Sequence, residues 1–210
     1  MEGFDTAQLV ALAAVLGFAS GIRLYAVLLV VGLAGYAGWV ELPAGLQVLA
    51  HPWVLGAAGL MVAIEFFADK LPLVDSMWDT VHTFIRIPAG AAIAASVFGF
   101  GTPGGPDSAA WATAMAMAII GGSLAATSHF TKAGARAAVN TSPEPVSNVV
   151  ASTAEDVLVG GLLALVLAYP LVALGVVIVL VALALWLLPK LVRFVRRIFT
   201  RPARGNLTSE

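Results

Sequence analysis

The sequence predicts an all-α, polytopic membrane protein, and three observations carry that expectation. Of the 210 residues, 60% are hydrophobic and 11% charged, with a mean hydropathy of +0.96. A soluble domain carries roughly 45–50% apolar and about 25% charged residues, and a chain this short could not hide such an excess from water. Apolar runs of spanning length recur between polar or Gly/Pro-rich segments. Basic residues gather in alternate connecting segments, as cytoplasmic loops require.

Taken in order, the first run covers Thr6–Gly38 and is too long for one upright helix at about 1.5 Å per residue. Gly17, Ser20, Gly21 and Arg23 interrupt it, so it reads as one tilted or broken span, or as two half-helices. The second run is Pro52–Ala68 and the third Ile87–Phe100, which Gly101-Thr102-Pro103-Gly104-Gly105-Pro106 ends. Ser108–Thr127, Val146–Ala168 and Leu171–Leu188 complete a set of about six spans. Met1-Glu2-Gly3-Phe4-Asp5 has acids and no base, so the first run is expected to be retained and not cleaved as a signal.

Charge then predicts sidedness. Lys190, Arg193, Arg196, Arg197, Arg201 and Arg204 follow the last run and belong in the cytoplasm. Counting back puts Lys70, Arg86, Lys132 and Arg136 on the same side, so ten of the eleven basic residues share it and Arg23 lies within a span. Both termini are therefore expected in the cytoplasm, in the inner membrane of a multi-pass protein. The chain divides into a helical membrane domain, 1–189, and a basic amphipathic tail, 190–210, suited to lie on the lipid surface.

The charges elsewhere form stripes. Glu65 and Asp69 stand four apart on one helix face, and Pro72 ends that helix. Asp75 is placed to cap the next helix, on which Asp75, Asp79, His82 and Arg86 make a single line. Pro88 could kink that helix or begin a new span. His129, Lys132, Arg136 and Asn140 make a basic and polar line; Asn148, Ser152 and Glu155 make an acidic and polar one. Ser142 and Pro143 read as a helix start.

Ionisable residues in a bilayer are costly, about 2.5–3.5 kcal/mol each at a helix centre, and so tend to be paired or functional. The rows are expected to converge near the cytoplasmic face on a polar cavity for an ion or small polar solute, or to form a salt-bridged plug. Glu65, Asp75, Asp79 and His82 also have the oxygen and imidazole groups for a divalent cation, the one cofactor that residue type suggests. Arg23 needs a carboxylate, with Glu65, Asp79 and Glu155 as candidates. An internal duplication is a further expectation: Gly59 to Gly90 and Gly121 to Gly161 each read as an apolar helix, a charged connector and a returning helix rich in small residues.

Ser20-Gly21-Ile22-Arg23-Leu24-Tyr25, Glu65-Phe66-Phe67-Ala68-Asp69-Lys70, Asp75 through Thr83 with Arg86-Ile87-Pro88-Ala89-Gly90, and Asn140-Thr141-Ser142-Pro143-Glu144-Pro145 resemble a family of integral membrane proteins known as domain of unknown function 4126. The resemblance covers almost the whole chain except the tail. It implies a bacterial membrane protein and brings no activity. A second likeness is to cation/proton exchangers with Glu-x-Gly-Asp-Lys in each of two repeats. Here one extra residue separates Glu65 from Asp69-Lys70, and the second copy, His129 to Lys132, lacks the acids.

Together these features point to a small secondary transporter or channel-like carrier, with Glu65, Asp69, Asp79, His82 and Glu155 as protonatable groups. The alternatives are a membrane-embedded lipid-headgroup enzyme or scramblase, and a non-catalytic scaffold. No Gly-x-Ser-x-Gly, phosphate loop or His-Glu-x-x-His occurs, which argues against an enzyme. The absence of cysteine excludes thiolate metal sites and a thiol nucleophile. The expected partners are the lipid bilayer and a small solute or ion, with no nucleic acid and with homo-oligomerisation as an open alternative.

Overall fold

A computed structural model describes residues 4–71, 73–102, 108–141 and 145–199. Among them are six α-helices: α1 (Thr6–Tyr36), α2 (Pro52–Ala68), α3 (Val74–Ser96), α4 (Ser108–Val139), α5 (Pro145–Ala168) and α6 (Pro170–Phe199). A 3-10 helix, Ala44–Ala50, precedes α2, and the described residues hold no strand. Four helices, α1, α4, α5 and α6, are long and apolar enough to cross a membrane. The 3-10 helix and α2, bent by 69°, add a fifth span if taken as one broken crossing. The protein is a multi-pass helical membrane protein.

Several boundaries differ from the sequence reading, each for a local reason. α3 starts at Val74 and carries Pro88 inside it, so the charged line from Asp75 to Arg86 and the apolar run after it form one rod. A proline costs its own N–H bond, which a bilayer helix tolerates when its neighbours pack around it. α4 likewise continues past Thr127 to Val139 and takes in His129, Lys132 and Arg136 of the basic line, with Asn140 just beyond its end. Asp75 does not cap α3: Leu73 holds that place with φ of +71° and no side-chain bond, while Asp75 lies in the first turn. Its carboxylate accepts from Ser76 N at 2.6 Å and is buried. The helix start expected at Ser142 and Pro143 falls outside the described residues. α6 runs on through Pro189 to Phe199, so residues 190–199 prolong the last helix; Lys190 Nζ stands 2.9 Å from the centroid of the Trp186 ring.

α1 is the centre of the molecule. Every residue from Ala11 to Leu24 is buried, as befits a helix that is apolar all round. It breaks at Arg23, whose φ of −142° and ψ of 75° are not helical. The contacts on either side of the break run in opposite senses. In the first half, a Cβ on Gly17 would lie 2.8 Å from Gly121 Cα, Gly21 faces Ala125 and Ser128, and Lys132 Nζ donates to Ile22 O. The first half thus runs parallel to α4, with small residues letting the backbones touch. In the second half, Leu29 faces Gly59 and Gly32 faces Leu55 and Leu49, so it runs antiparallel to α2. Both halves meet at Arg23, beside Asp69 at the end of α2. Of the two readings of this run, the structure gives two half-helices. Thr6 and Tyr36 accordingly point to the end of the bundle opposite the α2–α3 turn.

Candidate functional site

Where the half-helices of α1 meet, five helices deliver charge to one place. Arg23 pairs with Asp69, and also with Asp156 at 3.0 Å and Glu155 at 3.5 Å. Its Nη2 donates to Ser152 Oγ at 2.9 Å and Ser152 O at 3.2 Å. Arg86 bridges two acids, Glu65 on α2 and Asp79 on its own helix, the latter at 2.6 Å. Lys132 reaches Asp69 at 3.2 Å, Asp79 at 3.3 Å and Glu155 at 3.4 Å. Arg136 grips Glu155 with two parallel bonds of 3.0 Å and lies 3.6 Å from Asp75. Bidentate geometry of this kind is the strongest that a guanidinium offers.

All four cations are buried, as are Glu65, Asp69, Asp75 and Asp79; Glu155 is partly buried and the Asp156 side chain is 42% exposed. The helical spacings explain the convergence: Asp75, Asp79, His82 and Arg86 all lie on the inner face of α3, and His129, Lys132 and Arg136 on that of α4. Half-helix ends take part as well. The first half of α1 ends with its carbonyls toward cations, Ile22 O accepting from Lys132 at 3.2 Å, the favourable pairing for a helix C-terminus.

Polar side chains close the flanks. His82 Nδ1 donates to Trp78 O at 2.8 Å, so its Nε2 is left to accept from the Tyr25 hydroxyl at 3.1 Å. Trp78 stacks on the same ring, with centroids 4.1 Å apart. Thr83 donates to Asp79 O, and so accepts from His129 Nε2 at 2.7 Å. Asn140 donates to both Asp75 oxygens, at 2.8 and 3.1 Å, and accepts from Asn148 at 3.0 Å. At the rim, Lys70 lies over the Phe66 ring, 3.1 Å from its centroid, and burial lowers its pKa from the ordinary lysine value.

The twelve residues singled out from sequence therefore fall into one neighbourhood, with His82 and His129 at its flanks. The rows converge as expected, and they bond to one another. The divalent-cation expectation is not met: among the described residues no group of three or more His, Asp or Glu could hold a metal. Glu65 and Asp79 are turned to Arg86, Asp75 to Asn140, and His82 to Tyr25 and Trp78. Glu155 is a partner of Arg23, as expected; Glu65 and Asp79 are not, and Asp69 and Asp156 take their places. Sequence reading left Tyr25, Thr83 and Asp156 out of the site. Their signal was adjacency: Tyr25 lies two residues from Arg23, Thr83 one from His82 and Asp156 one from Glu155.

Beside the network lies a cavity of about 290 Å³ between α1, α4, α5 and α6. Phe18, Leu158, Leu180 and Leu183 form much of its wall, and Ser128, Thr131, Lys132 and Glu155 supply its polar atoms. Leu183 is 52% exposed and marks its open side.

Fold and site define a helical membrane protein organised around a buried ion-pair network at a broken helix. The chain belongs to the family described as Domain of unknown function (DUF4126), whose model matches residues 10–190. Neither the curated proteins nor the solved structures gave a match.

Proposed function

We propose that this protein is a small secondary transporter or channel-like carrier of the bacterial inner membrane, with the ion-pair network as its moving gate. The observation that carries this reading is the break of α1 at Arg23 inside the network. Ionisable residues buried inside a helical membrane bundle recur on substrate and ion pathways, and here they gather where the two halves of α1 meet. Each cation here has at least two acidic partners on different residues. Each cation can thus release one acid and keep another, which a single isolated pair does not allow.

Seven crossing segments follow from this reading: the two halves of α1, then α2 to α6. α2 is only 17 residues long and α3 carries Asp75, Asp79 and Arg86, but those charges are buried and paired. The network end faces the cytoplasm with the basic end of α6, and the N-terminus lies outside. Arg23 then joins the other basic residues on the cytoplasmic side. The α2–α3 and α4–α5 units enter in the same sense and turn beside the network, in keeping with a duplication.

A scaffold is the second reading, which the mutual pairing of charges favours. Proteoliposomes loaded with a pH-sensitive dye separate the two. Gradients of sodium, potassium, a small organic cation and a small organic anion are imposed in turn. A carrier gives a protein-dependent response to at least one, and Glu65→Gln or Asp79→Asn reduces it at least tenfold while the folded yield holds. A scaffold gives no response above protein-free vesicles.

A further inference from the structure

We infer that the cavity between α1, α4, α5 and α6 is a binding site for lipophilic organic cations that enter from the bilayer. The inference rests on the carrier reading only in making this cation the transported species; the binding site stands on the cavity and its charge.

The walls decide the first half of the statement. Leucine, alanine and phenylalanine side chains cover most of the surface, and the exposed Leu183 edge faces where lipid would lie. A hydrated inorganic ion gains nothing from such a wall, whereas an apolar body gains by burial. Pockets that take small molecules have this composition, an apolar lining with a few placed polar groups.

Charge decides the second half. The network on the inner wall sets six carboxylates, Glu65, Asp69, Asp75, Asp79, Glu155 and Asp156, against four cations, Arg23, Arg86, Lys132 and Arg136. Adding Lys70 at the rim still leaves the acids in excess. Asp69 Oδ1 and Asp79 Oδ2 are buried and accept no hydrogen bond among the described residues, while Arg23 Nε and Arg86 Nε likewise donate none. An anion entering the cavity would compete for cations already too few. A cation would add what the network lacks.

Glu155 is the acid on the cavity wall, and its Oε2 has its longest contacts with Arg23, 3.5 Å, and Lys132, 3.4 Å. Both cations keep other carboxylates, Asp69 and Asp156 for Arg23, Asp69 and Asp79 for Lys132. An arriving cation can therefore take those two contacts on Glu155 at little cost to either. Phe18 also lines the cavity, and an aromatic ring attracts such a charge.

The test is equilibrium binding of tetraphenylphosphonium to the full-length protein in nanodiscs, with tetraphenylborate as the matched anion. Saturable binding at least tenfold tighter for the cation is expected. Glu155→Gln should weaken it at least tenfold, and Ala184→Trp, which fills the cavity without removing a charge, should abolish it. Equal or tighter binding of the borate overturns the inference, as does unchanged binding in Glu155→Gln or no saturable binding at all. If Glu155→Gln does not fold, the cation preference and Ala184→Trp decide. Lack of binding beside intact proteoliposome transport discards the cation site and keeps the carrier; binding without transport does the reverse.

Discussion

Arg86 shows at the residue scale how the membrane interior tolerates so much charge. Fully buried, it donates to Glu65 and Asp79, which belong to different helices. Removing it strands the Glu65 carboxylate, for which no other ion pair is found among the described residues, while Asp79 retains Lys132. Breaking a buried pair typically costs about 3–5 kcal/mol. Arg86→Leu should therefore lower thermal stability in detergent by that order, and Glu65→Leu added to it should restore part of the loss. A double variant no more stable than Arg86→Leu would show that the two side chains are not coupled. Residue type and spacing were enough to pick out this pair's members, because only a paired charge is affordable at that depth. Spacing could not assign partners, since every acid in the stripes is within helical reach of more than one base.

Glycine sets the geometry of the elements. At Gly17 the α4 backbone passes so close that a methyl group would sit 2.8 Å from Gly121 Cα. Gly160, on the outer side of α5, has nothing within 4 Å of the same point. Overpacking of a tight interface costs about 1–3 kcal/mol, whereas an unobstructed glycine-to-alanine change in a helix gains up to about 1 kcal/mol. Gly17→Ala should thus reduce stability and Gly160→Ala leave it level or raise it, as read by thermal unfolding of the purified protein. The reverse order would mean that the first half of α1 does not lie against α4. Gly17-x-x-x-Gly21 was visible as a break in the first run, but the sequence left open whether it marked a tilt or a reversal. A proline or glycine in a run signals only that the helix can bend there; its neighbours decide how far.

The direction of α1 has its consequence for the whole molecule. With its halves folded back at Arg23, Thr6 and Glu41 lie toward one end of the bundle and Thr141, after α4, toward the other. The chain has no cysteine, so single cysteines can be placed without further engineering. A membrane-impermeant maleimide should label Thr6→Cys and Glu41→Cys on intact cells, and Thr141→Cys only after permeabilisation. Labelling of Thr6→Cys together with Thr141→Cys would return α1 to a single crossing and the N-terminus to the cytoplasm. The expectation of both termini on one side came from counting the first run as one pass.

The sequence by itself determined the solvent, the helical class, five of the six α-helix cores, and which charged residues would lie together. Composition, hydrophobic run length and helical periodicity are local properties, and lipid leaves a chain few other ways to satisfy its backbone. Only the tertiary structure decided the reversal of α1, the exchange of partners within the network and the apolar cavity at its side. Those depend on which surfaces meet across the bundle, and a stripe of charge carries no record of the stripe it will face.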